Sequence, residues 1–457
     1  MLDMKNGVKK SLIKTLAEKA EKNNRISESL YEKYDVRRGL RNPNGTGVLV
    51  GLTEVGNVEG YRIIEGLKQP DEGRLYYRGY NVSDLVKGFQ SEKRFGFEEV
   101  AYLLLVGELP TAIQLQEFRE LLGSYRQLPV GFTENMILKI PSRDIMNKLQ
   151  RSVLVLYSDD ENPDSIEIEN LMRQSIQLIA SFPTIISYGY QAKAHYFEGK
   201  SLYIHQPDPK LSTAENILRL SRPDCLFTAV EAETLDLLMA IHAEHGGGNN
   251  STFAIHVVSS SGTDTYSAIS SAIGALKGPK HGGANSKVTA MVETIKLECE
   301  DWQNEVALKA FLEGILEKKY FDGTGLIYGM GHAVYTLSDP RATLLKEKAL
   351  ELAEEKGSDA IATYNLYVNI EKLTKELIQE RKGEDAVICS NVDLYSGFVY
   401  EMLNIPSELF TPLFAASRIA GWCAHRIEQV ASDTKIMRPA YQSDIIDRVY
   451  IDLTNRT

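Results

Sequence analysis

The chain has 457 residues, 43% of them hydrophobic and 25% charged, proportions that are typical of a globular protein in water. This length is beyond that at which a single core usually stops growing, so we expect two domains, or a large domain with a smaller one embedded in it. The net charge of −11 argues against a nucleic-acid partner, and no apolar run is long enough to cross a bilayer.

Helical periodicity dominates the sequence. Residues 9–32 place Leu12, Ile13 and Leu16 on one face and predict an amphipathic helix. Residues 97–106 predict a buried helix that stops at Gly107. Further helices are predicted over residues 112–122, 166–179, 226–241, 265–276, 286–297, 304–316, 341–355, 360–378, 394–403 and 408–430.

Strand signals are confined to the N-terminal part of the chain. Residues 47–52 and 60–64 contain β-branched residues interrupted by glycines, and they predict a small hairpin-like sheet. Because strands and helices do not alternate, a doubly wound α/β sheet is disfavoured. The predicted fold class is therefore mainly α with a small N-terminal β element. No low-complexity linker interrupts the chain, which favours domains that share a large interface with a cleft between them.

The N-terminus and the cysteines bear on location and on metals. Acidic residues such as Asp3, Glu18 and Glu21 argue against a transit peptide, and the start of the chain has no apolar signal segment, so we expect a cytoplasmic protein. The four cysteines lie far apart and predict reduced thiols. His242 and His245 offer only two ligands outside any H-E-x-x-H pattern, so we expect no metal.

Two histidines lie in glycine-rich segments. His281 precedes Gly282, Gly283 and a predicted helix start, where the positive end of the helix dipole disfavours an imidazolium. His332 ends a run of glycines that permits close approach of a bulky ligand, although the spacing does not match a dinucleotide-binding motif. A neutral imidazole can donate a hydrogen bond to an oxygen that gains charge.

Asp393 lies in the first turn of a predicted apolar helix, with Asn391 as its predicted N-cap. The helix dipole there favours the ionised carboxylate, which is the form that a general base needs. Taken alone, Asp393 is more simply explained as an ordinary helix-start aspartate. If it converges with His281 and His332, the three groups suit making and trapping an enolate, and the chain is a carbon–carbon bond-forming enzyme.

Three arginines are candidate ligands of a small dicarboxylic acid. Arg341 follows Pro340 in the first turn of a helix, where its guanidinium and the free N–H groups would form an anion site. Arg418 lies in an apolar helix and needs an anionic partner, either a ligand or an internal carboxylate. Arg438 lies in a predicted loop near the C-terminus. Guanidinium groups bind carboxylates bidentately, which ammonium groups do not.

His245 differs from the other histidines because three glycines follow it. These glycines end a helix and expose backbone N–H groups, which suits an anionic ligand. The histidines predicted to be hydrogen-bonded core residues are His195, His205, His242, His256 and His425.

These segments resemble the citrate synthase family, and the likeness runs from about residue 73 to residue 444. The segments that carry it, in order, are G-P-x-H-G-x-A-N around His281, the G-x-G-H segment that ends at His332, Asp339-Pro340-Arg341, and residues 391–397 around Asp393. Two positions depart from the family. Gly246 stands where many relatives have an acidic residue, and Thr336 stands where relatives often have a basic residue suited to a CoA phosphate.

The resemblance implies an almost wholly α-helical homodimer. Its large domain would comprise residues 1–285 and 391–457, and a small domain of residues 286–390 would close over the substrates. It also implies an acyltransferase of the citrate (Si)-synthase type in the tricarboxylic acid cycle. Such an enzyme condenses acetyl-CoA with oxaloacetate, hydrolyses the citryl thioester, and needs neither a metal nor a tightly bound cofactor.

The resemblance further assigns roles to residues. Asp393 would remove a methyl proton from acetyl-CoA, His281 would stabilise the resulting enolate, and His332 would polarise the ketone of oxaloacetate. The residues implied to hold oxaloacetate are His245, Asn249, Arg341 and Arg418, with Arg438 reaching the other subunit's site. The residues expected beside the CoA are Gly329, Met330 and Gly331.

Two alternatives stay open. A 2-methylcitrate synthase would perform the same chemistry on propionyl-CoA, and one methylene changes selectivity by only about 10–200-fold. A non-catalytic dimeric scaffold could instead pack the small residues of the predicted helix 408–430 against a partner.

Overall fold

The computed structural model describes residues 6–432 and 435–456. Contacts divide the chain into two compact units, Met1–Val50 with Arg438–Thr457, and Gly51–Met437. The predicted fold class is confirmed, since the described residues are mostly helical and carry a small sheet near the N-terminus. No helix among them combines the length and the apolar character that membrane crossing requires.

The first unit begins with α1 (Asn6–Asn23) and α2 (Glu28–Lys33), where the sequence predicted one continuous helix. That prediction was wrong at residues 24–27. The Asn24 side chain donates to Ala20 O at 2.7 Å and closes α1, and Ser27 takes an extended conformation before α2. In the C-terminal part of this unit, Asp444 accepts from Lys33 Nζ at 2.8 Å, and residues 438–452 form neither helix nor strand.

The antiparallel sheet has the order β1-β2-β3. Its strands are β1 (Gly56–Ile64), β2 (Leu67–Tyr77) and β3 (Tyr80–Asn81). Glu65 and Gly66 join β1 to β2, both at positive φ, as a tight hairpin turn requires. The predicted strand at residues 60–64 is confirmed. The one at 47–52 is wrong, because only an isolated bridge between Gly47 and Arg41 forms there.

The second unit also contains the remaining helices. They are α3 (Val82–Ser91), α4 (Phe97–Val106), α5 (Ala112–Ser124), α6 (Ile145–Leu156), α7 (Ile168–Glu198), α8 (Thr213–Ser221), α9 (Ala229–His242), α10 (Asn250–Ser259), α11 (Thr265–Lys277), α12 (Ala284–Glu298), α13 (Glu305–Leu316), α14 (Pro340–Lys356), α15 (Ser358–Lys382), α16 (Val392–Met402) and α17 (Phe410–Ser432). A short π-helix spans Thr133–Leu138. Side-chain caps define many starts, as at α5, where Thr111 and Gln114 form a capping box.

Most predicted helices are present, with small shifts at their ends. The largest difference is α7, which was predicted to end near residue 179 but continues through Pro183 to Glu198. Four further helices, α3, α6, α8 and α10, were not predicted. Of these, α10 begins at Asn249, whose side-chain oxygen caps it.

Helix α17 forms the centre of the second unit and packs against α4, α7, α9, α10 and α11. Its small residues Ala415, Ala416 and Ala420 are fully buried. At Gly421, an added Cβ would lie 2.4 Å from Ala243 O. In the scaffold hypothesis, the small residues of α17 would pack against a partner protein. Other helices of this chain already cover those residues.

Candidate active site

A cavity of about 360 Å³ gathers most of the predicted site residues, and its lining comes entirely from the Gly51–Met437 unit. Cavities of this size bind small molecules. The predicted residues that line it are His245, Asn249, His281, Gly331, His332, Arg341, Asp393 and Arg418. They come from the loops after α9 and α11, the loop before α14, the first turns of α14 and α16, and the middle of α17.

Backbone pairing brings the loop of His332 to the start of the helix that carries Asp393. Met330 and Ser390 form an antiparallel bridge. One residue beyond each, Gly331 and Asn391 are joined by a hydrogen bond of 2.9 Å from the Asn391 side chain to Gly331 O. These contacts fix the loop of His332 to the start of α16. Gly331 is adjacent to His332, and Asn391 lies two residues before Asp393.

Asn391 also caps α16. Its Oδ1 accepts the N–H of Asp393 at 3.0 Å, as the sequence predicted. Because the other end of the same amide holds the His332 loop, a single side chain positions the carboxylate and the imidazole together.

The carboxyl group of Asp393 is more basic than predicted. Burial raises its pKa to about 6; the nearby Arg341 opposes this shift, and Asp339 adds to it. The helix dipole, which was expected to favour ionisation, is therefore outweighed by the loss of solvation. At neutral pH the ionised form still predominates, and a base with this pKa suits proton abstraction near neutrality.

His281 is held by the start of α10. Its Nε2 lies 3.1 Å from Asn249 Oδ1 and 3.3 Å from Ser251 Oγ. Burial, assisted by the positive charge of Arg418, lowers the pKa of His281 to about 4. The ring is therefore neutral, as expected, although the main cause is burial and not the helix dipole.

The tautomer of His332 follows from its hydrogen bonds. Nδ1 accepts the backbone N–H groups of Val334 at 3.0 Å and Tyr335 at 3.1 Å. Because Nδ1 is an acceptor, the proton of the neutral ring lies on Nε2. The ring of Tyr335 lies 4.6 Å from that of His332 between centroids and limits its rotation. His332 thus carries an N–H donor at Nε2, as polarisation of a ketone oxygen requires.

Arg341 is anchored by Asp339. Its Nε and Nη2 donate to the two carboxylate oxygens at 3.0 and 2.8 Å, and its backbone N–H donates to Oδ1 at 3.0 Å. The sequence predicted that the free N–H groups of this helix start would bind an anionic ligand. That prediction is wrong for the N–H of Arg341, because Asp339 Oδ1 already accepts its hydrogen bond. Arg341 nevertheless lines the cavity with its charge held in place.

Arg418 is fully buried, and its Nε donates a hydrogen bond to His242 O at 2.7 Å. Neither Nη1 nor Nη2 has a hydrogen-bond partner in the described part of the chain, and no carboxylate there forms an ion pair with it. Burial lowers its pKa to about 10, while Glu244 opposes that shift from a distance. Of the two partners that the sequence left open, the geometry favours an anionic ligand in the cavity.

His245 faces the same space. Its ring lies 5.2 Å from that of His332 between centroids, and its buried Nε2 lacks a partner among the described residues. Burial and the positive charge of Arg341 hold its pKa well below the usual range. Gly246, the first of the three glycines that follow His245, donates its N–H to the carboxylate of Glu244. This N–H group is therefore not available to a ligand.

The sequence did not indicate several other residues that line the cavity. Phe414 lies four residues before Arg418 on α17, and the guanidinium lies 4.7 Å from the centre of its ring. That spacing could have indicated the contact. The other missed lining residues are His242, Lys280, Gly282, Asn285, Ala333, Asn391, Val392, Ser396, Tyr400, Phe410 and Thr411.

The β-hairpin supports the segment that follows His332. Thr336 Oγ1 donates to Gly60 O in β1 and accepts an N–H of β2 at 3.1 Å. Backbone contact is so close that a Cβ at Gly60 would lie 2.6 Å from Tyr335 Cα, and one at Gly73 would lie 2.1 Å from Ser338 O. The threonine that departs from the family pattern therefore fixes the active-site loop to the sheet.

Three predicted residues lie outside the cavity lining. Gly329, with φ of +84°, packs against Leu394, where an added Cβ would lie 2.9 Å away. Met330 contributes the bridge described above. Arg438 belongs to the other compact unit and is exposed. The CoA contacts of Gly329 and Met330, and the role of Arg438 in a second subunit's site, stay predictions.

The remaining histidines are mostly buried, as predicted, but His195 is exposed near the end of α7, so that prediction was wrong. One group of possible metal ligands occurs among the described residues, formed by His256, His425 and Glu428. His256 Nε2 and His425 Nδ1 already bond each other at 3.1 Å. The expected absence of a metal stays a prediction.

Together, the cavity holds a basic carboxylate, neutral imidazoles and two guanidinium groups. The guanidinium groups suit an anion with two carboxylates. The carboxylate can take a proton from carbon, and the imidazoles can donate hydrogen bonds to carbonyl oxygens.

Comparison with known proteins agrees with this chemistry. The family model described as "Citrate synthase, C-terminal domain" matches residues 44–440. A citrate synthase of Synechocystis sp. is 35% identical over 371 residues, which cover 80% of this chain and 84% of the relative. A 2-methylcitrate synthase of Shewanella oneidensis is 33% identical over 384 residues, covering 84% and 92%.

Solved structures share the architecture. The citrate synthase of Pyrobaculum aerophilum has a TM-score of 0.72 at 30% identity, covering 90% of this chain and 94% of its own. That of Thermoplasma acidophilum, solved as a ternary complex with carboxymethyl coenzyme A and oxaloacetate, has a TM-score of 0.74 at 25% identity and covers 92% and 99%.

Proposed function

The chain belongs to the citrate synthase family, and from this premise we propose that it condenses oxaloacetate with acetyl-CoA and hydrolyses the product to citrate and CoA. The observation that carries the proposal is one cavity that holds Asp393, His281 and His332 together with Arg418, whose two terminal nitrogens have no hydrogen-bond partner within residues 6–432 and 435–456. The complex of the Thermoplasma enzyme with a CoA analogue and oxaloacetate supports both substrates.

Oxaloacetate binds first to the positive side of the cavity. Arg418 gains the anionic partner that its burial demands, and Arg341, held by Asp339, receives the second carboxylate. His245 and Asn249 complete the set. His332 directs its Nε2–H to the ketone oxygen and draws electron density from the carbon that is attacked.

Acetyl-CoA then presents its methyl group to Asp393. The carboxylate removes a methyl proton, and the enolate oxygen of the thioester is stabilised at His281. The neutral state of His281 matters here, because a neutral ring can hydrogen-bond the enolate oxygen without transferring its proton to it. The enolate carbon attacks the ketone carbon, and the alkoxide that forms takes the Nε2 proton of His332. The proton that Asp393 removed from the methyl group replaces the one that His332 has lost before the next turnover, so the protons balance.

Water then hydrolyses the citryl thioester, and CoA leaves as the thiol. The family uses CoA substrates without a tightly bound cofactor, and every step proposed here requires only side chains of this cavity. The predicted domains, residues 1–285 with 391–457 and residues 286–390, are part of the proposal. The cavity draws His281 and Asp393 from the two ranges of the proposed large domain, and His332 and Arg341 from residues 286–390, which supports closure of one domain over the other.

The proposed assembly is a homodimer in which Arg438 reaches the second subunit's site. The C-terminal segment supports this, because Ile445, Ile446 and Val449 are 77%, 85% and 90% exposed, and a second copy would cover them. We also propose a cytoplasmic location. All four cysteines are free thiols, which suits a reducing compartment.

A 2-methylcitrate synthase is the second candidate, because relatives of similar identity carry either name. One experiment separates the candidates. The purified protein is mixed with oxaloacetate and either acetyl-CoA or propionyl-CoA, and free thiol is followed. The proposal expects oxaloacetate-dependent thiol release with a higher kcat/KM for acetyl-CoA. A preference for propionyl-CoA would select the second candidate, and no release with either thioester would reject both.

A further inference from the structure

A buried ion pair lies behind the oxaloacetate side of the cavity. His425 follows Arg418 by two turns of α17, and its Nε2 lies 3.0 Å from Glu244 Oε1. Both side chains are completely inaccessible to solvent. Glu244 directly precedes His245, so the pair connects the central helix to the turn that carries a proposed oxaloacetate ligand.

The carboxylate of Glu244 also closes that turn. Its Oε1 accepts the N–H of Gly246, so one oxygen bridges the residues on either side of His245 and binds His425 as well. Gly246 has φ of +80°, a conformation that glycine adopts without the steric cost that a side chain would bring. Close packing leaves the carboxylate little room, since a Cβ at Gly421 would lie 2.4 Å from Glu244 Oε2.

The second nitrogen of His425 is engaged by another histidine. His425 Nδ1 lies 3.1 Å from His256 Nε2, and His256 Nδ1 lies 2.8 Å from Gln429 Oε1. The amide oxygen of Gln429 accepts, so His256 donates from Nδ1 and accepts at Nε2 from a protonated His425. Burial disfavours the charged form of His425, but Glu244 and Glu428 outweigh it and raise the pKa of His425 to about 9, in agreement with an imidazolium that donates from both nitrogens.

We propose that the Glu244–His425 ion pair is a positioning device that holds His245 in the orientation that binds oxaloacetate. Glu244 and His425 line no part of the cavity and touch no proposed substrate, so they act on the site through the turn and through the charge of Glu244 near Arg418. The buried Nε2 of His245 has no hydrogen-bond partner among the described residues, so contacts with the rings of His332 and Tyr335 are left to hold the imidazole beside the turn. The inference rests on the proposed function, because it assumes that oxaloacetate is the ligand that His245 contacts.

The test measures KM for oxaloacetate and kcat in Glu244→Ala and His425→Phe, with His195→Gln as a control at an exposed histidine. A displaced ligand weakens ground-state binding, so we expect KM for oxaloacetate to rise about 10–100-fold while kcat falls by less than about threefold. KM for acetyl-CoA and both constants of the control should be unchanged. Loss of stability alone would reduce the amount of active enzyme and leave KM for oxaloacetate as it was.

Two further variants keep the test decisive. Glu244→Gln retains an oxygen for the N–H of Gly246, so its KM should lie between those of the wild type and Glu244→Ala, and it serves if the alanine variant does not fold. The double variant Glu244→Ala with His425→Phe should raise KM no further than the worse single variant, because both break one device. The inference would be overturned by an unchanged KM for oxaloacetate in the folded variants. It would also be overturned if the rise in KM in the double variant were the product of the rises in the two single variants. Failure of the wild type to release CoA would instead reject the proposed function.

Discussion

Replacing Arg418 by Met should abolish oxaloacetate binding without loss of stability. Arg418 is fully buried, yet two of its three guanidinium nitrogens have no partner in the described chain. A buried guanidinium with unpaired nitrogens lowers the free energy of unfolding of the ligand-free protein, and we attribute its presence to ligand binding. Met has a similar length, carries no charge, and can pack against the ring of Phe414.

The magnitudes follow from the surroundings of the guanidinium. A pKa lowered from 12.5 to about 10 corresponds to a cost of about 3 kcal/mol for keeping Arg418 charged. Its one hydrogen bond, to His242 O, contributes about 1.5–3 kcal/mol. The ligand-free variant should therefore be as stable as the wild type or more stable by up to about 1.5 kcal/mol. Loss of two charge-assisted hydrogen bonds to a carboxylate should weaken oxaloacetate binding about 10²–10⁴-fold.

Arg426 provides a matched control on the same helix. It is equally buried, and burial lowers its pKa to about 10 as well, but its nitrogens donate to Thr265 Oγ1, Ser259 Oγ and Thr263 O at 3.1, 3.0 and 2.6 Å. Arg426→Met leaves those acceptors unpaired and should destabilise the protein by at least about 2 kcal/mol.

Calorimetric melting with and without oxaloacetate is the assay for both variants. The wild type should melt at a higher temperature when oxaloacetate is added, and Arg418→Met should not respond to it. The reasoning is refuted if ligand-free Arg418→Met melts well below the wild type, as Arg426→Met should, or if oxaloacetate still stabilises it.

Other expectations follow from the same cavity. Asp393→Asn should lower kcat by about 10²–10⁴-fold with little change in fold, as thiol release and circular dichroism would show; near-normal turnover would exclude Asp393 as the base. Because the base must be ionised and its pKa is about 6, kcat/KM should fall as the pH drops through about 6, and a profile flat to about pH 5 would contradict this assignment. Thr336→Val removes the hydrogen bonds of Thr336 to the hairpin, so kcat should fall several-fold with a stability loss of about 1–3 kcal/mol, and unchanged kinetics would show that these bonds do not position His332.

Local signals sufficed for much of the site. Asn391 was predicted as a cap because asparagine before an apolar helix satisfies its first N–H groups, and the hydrogen bond to Asp393 is present. Arg418 was singled out because a charge within an apolar helix demands an anion, and its terminal nitrogens find no hydrogen-bond partner in the part of the chain that the structure describes. Both inferences depend on residues within one helix, where the sequence determines the neighbours.

Properties that depend on distant contacts were not predictable in this way. The pKa of Asp393 depends on burial by elements far along the chain, and a dipole argument drawn from its own helix gave the wrong direction. The pairing of Glu244 with His425 joins residues 181 positions apart, and no spacing rule indicates it. Helix α7 continues through Pro183 because its surroundings bury that turn completely, which overrides the local signal to stop.

A crystal structure with oxaloacetate and carboxymethyl coenzyme A tests the central claim most directly. We predict the two carboxylates of oxaloacetate on Arg341 and Arg418, its ketone oxygen within hydrogen-bond distance of His332 Nε2, and the carboxymethyl group between Asp393 and His281. Oxaloacetate bound elsewhere, or a carboxymethyl group that contacts neither Asp393 nor His281, would contradict the account.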